Sequence, residues 1–361
     1  MPTSKSDSRS RRPGLTGRMA LLVMALCLPQ QGCGVGYVLS NGLYQMELLA
    51  ARKPVTEVRA QCALTDAQRQ ALDLVEDVKG FGSEIGLSGM ANYETVAAGW
   101  DHKIWNLSGC DPLSFEPETW WFPIVGRVPY LGYFVEEDAR EKVRSLEAAG
   151  LDVYLRTAGT YSTLGWFEDP LLVPMLDWEP YDLINTVLHE LTHATIWLPG
   201  SVGFNESFAN FVGEKAAFAY IESRYGRSSI FYEDAARTVA DRQVWRTLLK
   251  GLFDELSQLY ADEDLSDEAK LTRKAEIFAS VPERIGRAGF AESQQWLSYA
   301  SRTTWNNARL VQFRTYNSNR EWFQAIFDAH GGDLLPFMKA IETIVEDADD
   351  PYQALREAAG R

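Results

Sequence analysis

Residues 180–197 read PYDLINTVLHELTHATIW, and the rest of the chain is best understood outward from them. Pro180 suits the first turn of a helix, where its missing N–H is not needed, and Pro199-Gly200 closes the segment. Leu183, Ile184, Val187, Leu188, Leu191, Ile196 and Trp197 mark this helix as mostly buried. Inside it stands His189-Glu190-Leu191-Thr192-His193. Residues four apart on a helix lie about 40° apart around the axis and ~6 Å along it, so both imidazoles reach one ion from the same face. Glu190, about 100° round from His189, is placed to take a proton from a water at that ion rather than to ligate it. Two histidines satisfied by backbone carbonyls in a core are the bland alternative. Burying polar groups without partners is costly, however, and metal coordination supplies the reason for finding three of them here.

A hydrolytic zinc site keeps three protein ligands and one open position for water. The third ligand is sought downstream, where Glu206 stands in NESFAN at the start of a second helix, expected from near 205 to 225. A short turn through 198–203 folds that helix back on the first. An acid near a helix N-terminus has an ordinary explanation too, but no histidine competes for the role. The other two of the four histidines, His102 and His330, are distant and read as structural. Asn210, one turn after Glu206, is a candidate to orient a ligand histidine through its free ring nitrogen, with helix packing as the alternative. Tyr316 and Tyr161 are candidates for a second oxyanion donor beside the metal.

Around this centre the pattern is α+β, a small mixed sheet with an edge strand beside a helical majority. Residues 37–52 and 66–86 read as helices, the second with Leu72, Leu74, Val75 and Val78 on one side. Residues 119–124 and 128–134 are strand candidates, 136–149 a helix stopped by Gly150, and 151–156 an alternating strand. Strand, helix and strand in that order suggest a parallel crossover. Residues 161–166 are a further strand at the sheet edge. Helices are expected at 230–261, 267–288 (capped by Asp264 or Ser266), 318–330 and 333–347. A single domain is expected over 33–361, with helices plus sheet in 33–178 and the zinc-bearing helical part in 179–361.

A formal net charge of −15 argues against nucleic acid or an anionic membrane surface as an electrostatic partner. Residues 1–32 read as a signal peptide: Lys5, Arg9, Arg11, Arg12 and Arg18 precede an apolar run over 19–28, far short of the ~20 residues that span a bilayer. Cys33 after Gly32 resembles the lipidation point of bacterial lipoproteins, although Gln30 stands where Leu is preferred. A lipid there would tether the domain to a membrane. Cys62 and Cys110 would remain, free to pair in an oxidising compartment if the fold brings them together.

HELTHATIW followed by FNESFANFVG resembles the glutamate-ligated zinc peptidases, whose third ligand opens a second helix as N-E-x-x-A. More narrowly, QGCGVGY, FPIVGRVPYLGYF, TYSTLGWFEDPLL, WNNARL and HGGDL resemble a family of predicted bacterial lipoprotein aminopeptidases, over essentially the whole of 31–334. The family pattern often has Cys where Arg127 stands, so any family disulfide there is in doubt. The resemblance implies a zincin-like fold holding one Zn²⁺ per chain, a peptide substrate, and a periplasmic lipoprotein. Gly34 rather than Asp after Cys33 leans towards the outer membrane. It also implies that an edge strand, Tyr161, Ser162, Thr163, Leu164 and Gly165, binds the substrate backbone. An exopeptidase needs an acid for the free α-ammonium group, for which Glu168 and Asp169 are candidates. The competing reading is an envelope lipoprotein that keeps zinc for stability and serves as a binding module. Glu190 argues against it, since a structural site has no use for a proton acceptor beside an open coordination position.

Overall fold

The computed structural model describes residues 35–61, 63–122, 126–160 and 168–360. Helix α1 (Val35–Ala50) leads into a short strand β1 (Arg52–Pro54), and α2 (Val55–Gln61) and α3 (Asp66–Glu84) follow. Thr65 starts α3 with a reciprocal cap: the Gln68 N–H donates to Thr65 Oγ1 (3.2 Å) and the Thr65 N–H to Gln68 Oε1 (3.1 Å). Leu72, Val75 and Val78 are buried as their spacing predicts. Strand β2 (Thr95–Ala97) then pairs antiparallel with β1.

The next strand, β3 (Ile104–Cys110), is the centre of the main sheet and is absent from the sequence reading. After a small hairpin of β4 (Trp120–Phe122) and β5 (Gly126–Val128) comes β6 (Leu131–Tyr133), on one side of β3. Helix α4 (Glu136–Ala148) crosses over to β7 (Asp152–Ala158), on the other side. Both flanking strands run antiparallel to β3, so they are parallel to each other with β3 between them. The expected crossover is present, but the ladders it builds are antiparallel, and only an isolated bridge from Val96 to Leu171 is parallel among the described residues. Side chains alternate across the sheet. Leu107, Leu131, Val153 and Leu155 pack against Ala139 and Leu146 of α4. Ile104, Asn106, Arg156 and Ala158 turn the other way.

The remainder is helical, as expected. A 3₁₀ turn (Val173–Asp177) precedes α5 (Pro180–Thr195), α6 (Val202–Tyr225) and α7 (Ile230–Ala261). The helix expected over 267–288 is two: α8 (Asp267–Ala279) and α9 (Val281–Arg287). Pro282 has no N–H to continue α8, so a new helix begins there. Ser266 rather than Asp264 caps α8, accepting from the Ala269 N–H (3.3 Å). Helices α10 (Ser293–Arg302), α11 (Asn307–Asn317), α12 (Arg320–Ala329), α13 (Leu334–Val345) and α14 (Pro351–Ala358) complete the chain.

Helix α5 lies between α3 and α6. Gly82 lets α3 approach so closely that a β-carbon there would stand 3.1 Å from Leu191 Cδ1. Phe204, Phe208 and Phe211 of α6 meet Phe323 and Phe337 in the largest core, while Leu249, Leu252, Leu256, Phe278, Val281 and Ile285 form a second core around α7 to α9. Cys110 is a free, buried thiol whose pKa is pushed up to about 12 by burial and then by Asp152 and Asp111. Cys33, Cys62 and residues 161–165 lie outside the described residues. No described helix is long and apolar enough to cross a membrane.

Candidate metal centre

The two helices that carry the centre are joined by a turn that Asn205 holds shut. The Leu198 N–H donates to Asn205 Oδ1 (2.9 Å), and Asn205 Nδ2 donates to the Leu198 carbonyl (2.8 Å). Gly200, at φ +80°, supplies the left-handed residue the turn needs. Farther along α6, Gly213 crosses α5 so closely that a β-carbon would sit 3.0 Å from the Asn185 carbonyl oxygen and 3.3 Å from His189 Cβ. These contacts fix Glu206, two turns before Gly213, against the face of α5 that bears the histidines. It is the fifth residue of α6 and 6% exposed, so the ordinary explanation for an acid at a helix start does not apply.

His189 Nε2 and His193 Nε2 are 3.1 Å apart, and Glu206 Oε2 lies 3.4 Å from the first and 3.5 Å from the second. Zinc bonds of ~2.0–2.1 Å at tetrahedral angles put neighbouring ligand atoms about 3.3 Å apart. The triangle therefore has the size of one face of such a tetrahedron, and the donor set, two imidazoles and a carboxylate, fits that metal. Among the described residues this is the one group of three or more potential ligands close enough to hold an ion. Burial pushes the His193 imidazolium down, but the Glu206 and Glu190 carboxylates outweigh it and the net shift is upward. For Glu206, burial raises the pKa, yet His193 and His189 bring it down to about 2.

Glu190 is buried beside this triangle. Its Oε1 accepts a long hydrogen bond from Thr160 Oγ1 (3.4 Å), and among the described residues its Oε2 has no partner, nor has His193 Nδ1. The centre sits in a cleft of about 530 Å³ between the sheet and α5, α6 and α11, and Tyr316 lines it. The phenol of Tyr316 is held well above its ordinary pKa by burial and by the Glu206 charge. Among the described residues Asn210 has no hydrogen bond to a ligand histidine, and the bond it makes is the helix-packing alternative. Its Nδ2 donates to the Tyr316 carbonyl (2.7 Å), while Ser207 Oγ, between them on α6, donates to the Thr315 carbonyl (3.0 Å) and accepts from the Ser318 N–H (3.0 Å). Helix α6 thus grips the end of α11 and aims Tyr316.

Tyr130 and Arg156 also line the cleft, and sequence reasoning passed over both. Tyr130 follows Pro129 just before β6, and its phenol is raised by burial and by Glu206 and Glu190. Asp169 is buried at the Asn92 side chain and is not among the residues lining the cleft. Glu168 offers its carbonyl to Arg52 (2.9 Å). His102 packs tilted against Trp100, and His330 bonds the Ile326 carbonyl through Nδ1 (2.7 Å); neither belongs to the metal-ligand group. A larger cavity, about 800 Å³, opens around Trp245 and Trp296. Its buried acid, Asp241, is spent on the Ala291 and Glu292 N–H groups and on Trp296 Nε1, and no metal donor set lies there among the described residues.

A family model described as "Putative aminopeptidase" matches residues 36–355. The chain belongs to that aminopeptidase family. No curated protein and no solved structure matches it.

Proposed function

We propose that this member of the aminopeptidase family is a zinc-dependent peptidase that removes residues from the amino end of peptides. The observation that carries the reading is the ligand triangle of His189, His193 and Glu206 with Glu190 beside it, at the wall of a cleft of about 530 Å³. A zinc ion held there would acidify a water molecule and polarise the scissile carbonyl. Glu190 is the proton carrier: it accepts the proton of the attacking water and returns it to the leaving amine. That its Oε2 has no partner among the described residues suits a group that must make and break that bond. Tyr316, kept protonated by burial, donates to the carbonyl oxygen as charge develops there.

The test compares wild type with Glu190→Gln at equal zinc content on aminoacyl, unblocked and blocked peptide substrates. Loss of a proton carrier costs about 100- to 10,000-fold in kcat. Undiminished turnover by the variant would remove Glu190 from the chemistry, and equal cleavage of blocked peptides would remove the amino-end preference. By sequence alone, the chain is also proposed to be an envelope lipoprotein anchored through Cys33. Mass spectrometry of the amino terminus of the membrane-extracted protein should show a lipid-modified Cys33, and an unmodified Cys33 there would overturn the anchor.

A further inference from the structure

The cleft contains a charged group that the proton-transfer scheme leaves idle. Arg156 of β7 stands opposite Asn106 of β3, which stands opposite Gly132 of β6. Directly opposed residues share a face of a sheet, so these three form one row, and all three line the cleft that holds the metal ligands. Gly132 leaves the row open, with nothing within 4 Å of where a β-carbon would stand. Asn106 Oδ1 accepts from Gln312 Nε2 of α11 (3.3 Å). Arg156 makes one long hydrogen bond, from Nη1 to the adjacent Thr157 carbonyl (3.5 Å), and no ion pair among the described residues. That is unexpected in a chain with 50 acidic residues against 35 lysines and arginines, where partners are plentiful. Among the described residues the lining of this cleft holds two carboxylates, Glu190 and Glu206, and both are assigned to the metal centre. Recognition of substrate charge beyond the centre therefore falls to a cation. A guanidinium is the side chain best matched to a carboxylate, which it binds through two parallel N–H bonds.

We infer that the cleft selects peptides bearing a carboxylate within about two residues of the scissile bond, and that Arg156 binds it. This inference rests on the peptidase reading and narrows it. Two sources offer the same group: the α-carboxylate of a di- or tripeptide, or an Asp or Glu side chain of a longer peptide. Arg156 lines the same cleft as Tyr130, Tyr316, His189, His193 and Glu206, so a carboxylate bound to it lies in the cleft that would hold the reacting carbonyl.

The experiment measures kcat/KM of the zinc-loaded protein on two matched pairs, Ala-Ala with its C-terminal amide and Ala-Glu-amide with Ala-Gln-amide. The carboxylate member of at least one pair should be favoured by roughly 10- to 100-fold, mainly through KM, and the pair that shows it names the source. Arg156→Met should erase the preference and Arg156→Lys should keep part of it. Equal rates within both pairs would overturn the inference, as would an Arg156→Met defect that strikes acid and amide alike. Should wild type hydrolyse none of the four, the peptidase reading fails instead. Calorimetric binding of Ala-Ala and its amide to Glu190→Gln, with and without Arg156→Met, then decides the Arg156 assignment by itself: tighter binding of the acid supports it and equal binding overturns it.

Discussion

Glu206 shows how one residue's role follows from where the fold puts it. Its Oε2 lies within 3.5 Å of both imidazole nitrogens, and nothing else in the described chain completes the set. Glu206→Ala should lower zinc affinity about 100-fold or more, beyond the loss seen when only an orienting neighbour is removed. Metal analysis after dialysis against buffered zinc reads this directly, with circular dichroism to show that the chain stays folded. Stoichiometric zinc in the variant would take Glu206 out of the ligand set. The histidines and this acid were legible in the sequence because an i, i+4 pair and a short helix turn are local geometry. Tyr130 and Arg156 were not legible. Arg156 reaches the cleft from β7 and Tyr130 from the turn just before β6, and which side each presents depends on how β6 and β7 pair with β3. IWNLSGC has too mixed an alternation, with Asn106, Ser108 and Gly109 inside it, to announce that strand.

At the scale of elements, the centre depends on how closely α6 crosses α5. Gly213→Ala tests this, because two effects of known size oppose each other. Alanine in a helix interior gains up to about 1 kcal/mol in propensity. The new β-carbon meets a backbone carbonyl of α5 at 3.0 Å and the stem of His189 at 3.3 Å, and such overpacking costs ~1–3 kcal/mol. The near-cancellation leaves the urea midpoint little changed or modestly lowered. Relief comes by moving α6 away, which draws Glu206 off the histidines, so zinc affinity should fall about 10-fold. Unchanged affinity would show that the crossing is looser than the contacts imply. Helix α7 (Ile230–Ala261) has the expected bounds, and Ser229 caps it by accepting from the Tyr232 N–H (3.2 Å). Helix α11 was missed although Asn306 caps it by accepting from the Arg309 N–H (3.1 Å). Its apolar residues are spread around the axis, since it is buried on several sides, and no single stripe announces it.

Across the whole molecule, that unread helix ties the sheet to the metal-bearing helices. Glu214 of α6, buried, pairs with Arg246 of α7 (3.0 Å) and with Arg320 of α12, holding the helical side together. At the far end of α11, Asn307 is wholly buried and its side chain accepts from Tyr260 Oη (2.8 Å). It also donates to the carbonyls of Asp111 (3.1 Å), Pro112 (3.1 Å) and Ser114 (2.8 Å), in the loop that follows β3. Its own N–H donates to Asp152 Oδ2 (2.8 Å), and Asn306 Nδ2 reaches the Val153 carbonyl (2.8 Å). WNNARL thus docks one end of α11 on the sheet, while Ser207 and Asn210 hold the other, where Tyr316 enters the cleft. Asn307→Ala takes the partner from the half-buried Tyr260 phenol and from the Asp111 carbonyl, while the Pro112 and Ser114 carbonyls keep Lys274 Nζ and Cys110 Sγ, a loss of ~1–3 kcal/mol that a urea titration would show as a lower midpoint. The histidines and Glu206 belong to α5 and α6, so zinc affinity should hold while kcat falls with the position of Tyr316. Parallel loss of zinc and turnover would mean that α11 supports the metal ligands themselves, and a stability equal to wild type would mean that the buried network around Asn307 is replaced by water at no cost.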